Sequence, residues 1–116
     1  VDENDLLPVF KESKESSLKR SYDLAKEFHG AENGRLNYAF APRFVLSCSE
    51  EMLKETYEMM TDFPGALYHT HSSENKGEIE AVKSKTGMEN IEYFNSIGVL
   101  GNRTVLAHGI HVNDKE

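Results

Sequence analysis

The chain contains little cysteine and no cysteine pair. Its single cysteine, Cys48, excludes an intrachain disulfide framework and suits a reducing compartment, so we expect a cytoplasmic location. The same scarcity excludes a zinc site built on a PCxxC motif. Cys48 has no neighbouring base in the sequence, and we predict that it is a small buried residue.

Basic residues and long apolar runs are also scarce. Lysine and arginine total 13 against 20 aspartates and glutamates, which gives a net charge of -7 and a pI near 5.2. Nucleic-acid binding usually depends on clustered basic residues, so this balance argues against it. No apolar run approaches the about 20 residues of a membrane helix, and no signal-peptide pattern opens the chain. We therefore expect no nucleic-acid and no membrane partner.

The length and composition are those of one modest domain. The 116 residues include 38% hydrophobic and 28% charged residues, which is ordinary for a globular protein. No linker or low-complexity stretch interrupts the chain. We therefore predict a single segment over residues 1–116.

Apolar spacing predicts four helices, over about 13–28, 49–60, 76–85 and 90–97. Ser47 and Glu50 have the spacing of a capping box for the second of them. Asn113 resembles the N-cap of a further helix, and residues 1–11 are expected to be an irregular lead-in.

Three segments are predicted strands, at 36–41, 66–71 and 104–108. The stretches between them are mostly helical, which is typical of βα units and a parallel sheet. The predicted fold is therefore α/β, with about three βα units. Two of the strands end in a histidine, and the carboxyl ends of parallel strands are where an α/β active site is expected.

The end of the middle strand carries the clearest chemical signal. Because side chains alternate along a strand, Leu67, His69 and His71 should share one face. Glu74 follows His71 at the opening of the next helix, and such a pair can form half of a hydrolytic metal site. Each residue also has a simpler explanation. A strand-end histidine can bond to the backbone, and a glutamate is favoured at a helix N-terminus.

Four motifs in this order closely resemble the amidohydrolase superfamily. Within it they are similar to the guanine, 8-oxoguanine and 5′-deoxyadenosine deaminases, alongside the triazine hydrolases. The resemblance covers the chain from about residue 12 onward. The motifs are APRFVLSCSE at 41–50, HSSEN at 71–75, EIEAVK at 78–83 and VLAHG at 105–109.

The resemblance implies a (β/α)8, TIM-type barrel with one zinc or iron ion at its carboxyl-terminal mouth. His71 matches the metal-ligating histidine of the fifth strand, and Glu74 matches the glutamate that transfers the proton of water to a ring nitrogen. His108 matches the strand-six histidine that orients the attacking water or the tetrahedral intermediate. Arg43 and Phe44 match the pair that contacts the purine.

The function implied is metal-dependent hydrolytic deamination of a purine base or nucleoside. Two alternatives remain open. One is a triazine-type chlorohydrolase or aminohydrolase on the same scaffold, and the other is a non-catalytic binding or assembly piece. Arg43 also has a simpler explanation as a surface ion pair, and Phe44 as a residue packed on the next helix.

The chain departs from the family pattern in its extent. A whole barrel needs about 250 residues, whereas this chain resembles only strands four to six with their helices. The strand-one HxH ligands and the strand-eight aspartate are absent. We therefore expect the remaining barrel segments as partners, a homodimer when intact, and no catalysis by this chain alone.

Two further histidines are not assigned to the site. The HxH pair of the family lies on strand one, so the resemblance gives His69 no ligand role. We predict that His69 lines the barrel interior. His111 follows three residues after His108, and we predict a structural role for it.

Overall fold

The computed structural model describes residues 1–3 and 7–116, so residues 4–6 of the predicted lead-in lie outside the described residues. Pro8–Phe10 form a short 3-10 turn. The helical elements that follow are α1 (Lys14–Phe28), α2 (Ala31–Gly34), α3 (Glu50–Thr61), α4 (Lys76–Thr86) and α5 (Asn90–Ser96). The strands are β1 (Ala39–Phe40), β2 (Leu67–Ser72) and β3 (Thr104–His108). The element α2 is a single turn with left-handed dihedrals at Glu32 and Asn33.

The three strands form one parallel sheet in the order β1-β2-β3. Phe40 is paired with Tyr68, and Tyr68 is paired with Thr104, so the strands run side by side in chain order. The predicted α/β class and parallel sheet are confirmed. This order places the carboxyl ends of all three strands at one edge.

The helix predictions are confirmed to within one or two residues, and the local caps explain the boundaries. The Ser13 side chain accepts from the amide of Ser16 at the start of α1. Asn75 accepts from the amide of Glu78 at the start of α4. Gly87 ends α4 in the left-handed conformation with a φ of 76°, a region that glycine adopts without steric cost.

The predicted capping box at Ser47 is wrong. Ser47 and Cys48 both donate their amides to the carbonyl of Phe44, which holds them in a turn before the helix. The N-cap of α3 is Ser49, whose hydroxyl oxygen accepts from the amide of Met52 at 3.1 Å. The helix therefore starts at Glu50, one residue after this cap.

The first strand is shorter than the predicted 36–41. The carbonyl of Leu36 accepts from the amide of Gly30, and the amide of Tyr38 donates to the His29 ring. These backbone groups bind to the turn after α1, so they do not pair with β2. Oδ1 of Asn113 accepts from the amide of Lys115 at 2.9 Å, as an N-cap side chain does, and residues 114–115 form a turn.

The two faces of the sheet differ in their covering. Alternation along β2 is confirmed, because Tyr68, Thr70 and Ser72 are buried, whereas Leu67 is exposed and His69 and His71 are half-buried. The helices cover the face that carries Tyr68, Thr70 and Ser72. The core there is formed mainly by the following side chains: Phe40, Leu53, Met60, Tyr68, Val82 and Phe94.

The second face of the sheet is open in this chain, and Leu67 and Val105 are 38% and 44% exposed on their strands. In a closed barrel this would be the interior face. None of the described helices is long and apolar enough to span a bilayer.

His29 joins the end of α1 to the segments that precede β1 and β2. Its Nδ1 accepts from the amide of Tyr38 at 3.0 Å, so Nε2 carries the proton and donates to the carbonyl of Pro64 at 2.7 Å.

Replacing His29 with Ala should destabilise the intact protein by about 1–3 kcal/mol, because both backbone groups lose a partner. Thermal or chemical unfolding measures this loss. The control is His111→Ala, an exposed site at which we expect a change within about 0.5 kcal/mol. Equal stability of the two variants would contradict the bridging role.

Candidate active site

A small cleft lies at the carboxyl ends of the strands. Its volume is about 180 Å³. It is lined by the following residues: Arg43, Phe44, His71, Glu74 and His108. These are the five candidate residues of the sequence analysis, and they come from three separate stretches of chain. The structure therefore brings all five together, while their chemical roles stay predictions.

His71 is oriented by the main chain of Arg43. The Arg43 carbonyl oxygen lies 2.8 Å from Nδ1 of His71 and also accepts from the His71 amide and the Thr70 hydroxyl. A carbonyl can only accept, so Nδ1 carries the proton and Nε2 of the neutral ring keeps its lone pair. Histidines that bind metals are usually held in this way through their other nitrogen. The half-buried ring is therefore arranged as a ligand would be.

Glu74 lies directly after a sharp turn. The preceding residue, Ser73, has a left-handed φ of 55°, which ends β2 one residue later than predicted and sends the chain towards α4. The Oε2 atom of Glu74 lies 3.6 Å from Nε2 of His108. This separation is longer than a hydrogen bond. The carboxylate therefore faces the histidine across the cleft and remains accessible to solvent.

The ring of His108 reaches the cleft because its backbone departs from the strand conformation. In the β2–β3 register His108 is paired with Ser72, whose side chain is buried on the helix-covered face. His108 has a φ of 75°, and its ring centroid lies 5.3 Å from that of His71. An extended backbone would direct the side chain to the same face as Ser72. The left-handed conformation is thus what allows the two rings to meet.

Backbone hydrogen bonds hold the ends of β2 and β3 together. The amide of Gly109 donates to the carbonyl of Ser72 at 2.9 Å. The amides of Ile110 and His111 both donate to the carbonyl of Ser73, at 3.1 and 3.2 Å. These bonds hold the loop after β3 beside the turn that precedes Glu74. His111 takes part in this contact through its main-chain amide, and the structural role predicted for it stays a prediction.

Arg43 and Phe44 form the side of the cleft contributed by the loop after β1. The Cζ atom of Arg43 lies 5.3 Å from the centroid of the Phe44 ring, which is within cation–π range. Among the described residues Arg43 forms no salt bridge, so the ion-pair explanation has no partner there. The guanidinium is exposed and retains donors for a ligand.

His69 and Cys48 lie away from the cleft lining. The His69 ring is 5.8 Å from the His71 ring, one step back along β2 on the open face of the sheet. This is the position predicted for a residue that lines a barrel interior. Cys48 is buried, as predicted.

The described residues provide only part of a metal site. Within residues 1–3 and 7–116, no three His, Cys, Asp or Glu side chains are arranged to hold a metal ion. Catalytic zinc sites commonly use three protein ligands. The orientation of His71 fits one such ligand, and His108 and Glu74 lie beside it. The residues present therefore fit a partial coordination sphere.

Two buried polar residues behind the cleft were not predicted. Glu78 is 7% exposed and Asn90 is fully buried, and their side chains bond to each other at 2.9 Å. The signal for Glu78 was its spacing, three residues after the N-cap Asn75, at the position of a capping-box glutamate. Nothing in the sequence pattern pointed to Asn90.

The chain matches a known family over almost all of its length. A sequence model of the amidohydrolase family matches residues 5–116. Among curated relatives, 5′-deoxyadenosine deaminase from Methanothermobacter thermautotrophicus is 39% identical over 101 residues, which covers 87% of this chain and 23% of the relative. Guanine deaminase from Escherichia coli is 36% identical over 104 residues, with coverage of 88% and 23%. The chain thus spans about a quarter of the length of these relatives.

Solved structures show the same architecture. Guanine deaminase from E. coli superposes with a TM-score of 0.85 at 33% identity, over 98% of this chain and 26% of that one. Guanine deaminase from C. acetobutylicum with guanine in its active site gives 0.84 at 28% identity, over 98% and 27%. The zinc complex of an atrazine chlorohydrolase from Arthrobacter aurescens gives 0.83 over 93% and 24%, and its 21% identity shows the fold alone. The predicted fold class, part of a TIM-type barrel, is therefore confirmed.

Proposed function

Because the chain belongs to the amidohydrolase family, we propose that it is the central segment of a metal-dependent enzyme that deaminates a purine base or nucleoside. The observation that carries the proposal is the single cleft shared by the five candidate residues. Relatives at 39% and 36% identity are named as deaminases of 5′-deoxyadenosine and guanine, which supports a substrate of the same class. The 8-oxoguanine base belongs to that class as well.

His71 is the residue of this chain that would hold the ion, through Nε2. A single Zn²⁺ or Fe²⁺ per complete site would lower the pKa of water to about 7 and so supply a nucleophile at neutral pH. The carbonyl of Arg43 accepts from Nδ1 of His71, which leaves the lone pair of Nε2 available for the ion. The other ligands would come from the rest of the barrel.

Glu74 is the proposed proton carrier. Its exposed carboxylate takes a proton from the attacking water and delivers it to a ring nitrogen, which makes the adjacent ring carbon electrophilic. The water oxygen bonds to that carbon. Glu74 then takes the second proton from the new hydroxyl group on that carbon and gives it to the leaving amine, so the carbon–nitrogen bond breaks, ammonia departs and a carbonyl group remains. His108, 3.6 Å from the Glu74 carboxylate, orients the attacking water.

Arg43 and Phe44 are the proposed substrate contacts. The guanidinium donates to a carbonyl oxygen or ring nitrogen of the purine, and the Phe44 ring packs against the base.

Replacing Arg43 with Ala in the intact enzyme should raise KM for the purine by about 10- to 100-fold, because the substrate loses a hydrogen bond to a charged group. Steady-state kinetics measure the change. The matched control is Arg35→Ala, an exposed arginine outside the cleft, which should keep KM. An unchanged KM in Arg43→Ala would exclude Arg43 from substrate binding.

The proposal requires the remaining barrel segments. The chain covers only 23% of each of these two relatives, so we propose a cytoplasmic polypeptide roughly four times this length that forms a homodimer and is inactive as the present segment alone. The intact mass and metal content of the native protein test this directly. A native protein that ends near residue 116 and binds no metal would favour the non-catalytic alternative.

A triazine hydrolase is the second candidate, on the same scaffold. The observation in its favour is the superposition on the atrazine chlorohydrolase, which concerns the fold. The Arg43–Phe44 pair favours a purine, because its donors and aromatic ring suit a base with a carbonyl group. Assays of the intact enzyme with guanine, 8-oxoguanine, 5′-deoxyadenosine and a chlorotriazine discriminate between the two. Turnover of the chlorotriazine alone would replace the leading proposal.

A further inference from the structure

We propose that Glu78 is a positioning residue that holds the main chain of Glu74, and with it the Glu74 carboxylate, in the place required for proton transfer. The inference rests on the proposed role of Glu74. Glu78 itself does not line the cleft, so it would act only through Glu74.

The carboxylate of Glu78 bonds directly to the backbone of Glu74. Its Oε2 accepts from the Glu74 amide at 2.9 Å. The amide of Glu78 donates to Oδ1 of Asn75 at 2.9 Å, as in an ordinary N-cap. In a capping box the glutamate returns to the amide of the N-cap residue itself. Here it reaches one residue further back, to the residue that carries the proposed proton carrier.

The other oxygen of Glu78 is held by α5. Nδ2 of Asn90 donates to Oε1 at 2.9 Å, and the side chain of Asn90 is fully buried. Both oxygens of the carboxylate therefore have fixed partners on different elements. The arrangement links α5 to the loop that carries Glu74.

The burial of Glu78 opposes folding more than an ordinary helix cap would. Among the described residues no Lys, Arg or His forms a salt bridge with Glu78, although it is 7% exposed. Oδ1 of Asn90 is buried without a hydrogen-bond partner in the same part of the chain. Burying a carboxylate without a counter-ion and an amide oxygen without a donor both oppose folding. A helix start can be capped by an exposed side chain without either cost.

The position of Glu74 depends on its main chain. Its side chain is about half exposed, so little packing restrains it. The turn before it contains Ser73 at a left-handed φ of 55°, a conformation that neighbouring bonds must maintain. The carbonyl of Ser73 accepts from the loop after β3, and the amide of Glu74 donates to Glu78. Both ends of the peptide group between Ser73 and Glu74 are therefore held. A displacement of about 1 Å at a catalytic group can lower a rate by about 100-fold.

The test uses the intact enzyme and the variants Glu78→Ala and Glu78→Gln. Glu78→Ala should lower kcat by about 10- to 100-fold, with KM and metal content within about 2-fold of the parent. Glu78→Gln should recover most of the loss. Its amide oxygen still accepts from the Glu74 amide, and its NH₂ group can donate to Oδ1 of Asn90 once that side chain flips. Glu78→Asp keeps the charge but is too short to reach both partners, so it should resemble Glu78→Ala and replaces it if the alanine variant does not fold.

The matched control is Glu92→Ala on α5. Glu92 occupies the same position in its helix, accepts from the amide of Glu89 at 3.3 Å and does not line the cleft. Its ion pair with Lys115 lies at the surface, with the lysine side chain 79% exposed, and adds little. Glu92→Ala should lower the melting temperature without changing kcat. A purely structural role for Glu78 predicts the same behaviour for Glu78→Ala, and that result would overturn the inference.

A double variant separates this inference from the proposed function. In the Glu74→Gln background, Glu78→Ala should change kcat by less than about 2-fold, since there is no proton carrier left to position. If Glu74→Gln alone is fully active, the proposed function fails and the positioning role fails with it. If Glu74→Gln is inactive while Glu78→Ala and Glu78→Asp are fully active, the positioning role alone is wrong.

Discussion

Replacing Glu74 with Gln in the intact enzyme should lower kcat by about 10²- to 10⁴-fold, the range that general acid–base catalysis contributes. The substitution keeps the size of the side chain and removes its ability to take up and release a proton. KM and metal content should change little, because the ring of His71 is held by Arg43 and not by Glu74. Steady-state kinetics together with metal analysis measure all three quantities.

The control for this prediction is Glu80→Gln. Glu80 is an exposed glutamate on α4 outside the cleft lining, so the same chemical change there should leave kcat unaltered. Full activity of Glu74→Gln would remove Glu74 from the mechanism and favour the non-catalytic alternative.

Replacing His71 with Ala should lower the metal affinity of the intact enzyme by at least about 100-fold. Loss of a residue that only orients a ligand typically costs 10- to 100-fold, and removal of the ligand itself should cost more. The physical basis is the Nδ1 hydrogen bond to the Arg43 carbonyl, which leaves the Nε2 lone pair available. Metal content after dialysis against a chelator measures the affinity directly, independently of turnover.

His69→Ala is the matched control for His71. His69 lies on the same strand and the same face, with its ring 5.8 Å from that of His71, but it does not line the cleft. This variant should retain its metal. If His71→Ala retains metal as His69→Ala does, then His71 is a backbone-bonded histidine with no ligand role.

Local sequence features were sufficient for much of the secondary structure. The 3.6-residue spacing of apolar side chains in α1, α3 and α4 gave helices whose observed ends differ by at most a residue or two from the predicted ones. Tertiary contacts changed the shorter elements. The alternating pattern at 36–41 is a strand pattern, yet His29 and Gly30 bind the amide of Tyr38 and the carbonyl of Leu36, and the regular strand is reduced to Ala39–Phe40.

The candidate site was predicted in part from alternation and in part from motif resemblance. Period-two alternation in β2 was enough to place His71 on the face opposite Tyr68, because that rule depends on nothing beyond the strand itself. Arg43 and Phe44 were assigned from the resemblance. The structure brings them to the same cleft as His71 and Glu74.

Residue spacing and motif resemblance were sufficient for the βα order, the faces of β2 and the five candidate residues. How those five side chains meet depends on tertiary contacts. His108 turns towards His71 through a φ of 75°, and the loop after β3 is held by the carbonyl of Ser73. Glu78 binds the Glu74 amide through one oxygen, while Asn90 on α5 binds the other. Contacts between residues far apart in the chain depend on packing, and no local pattern encodes them.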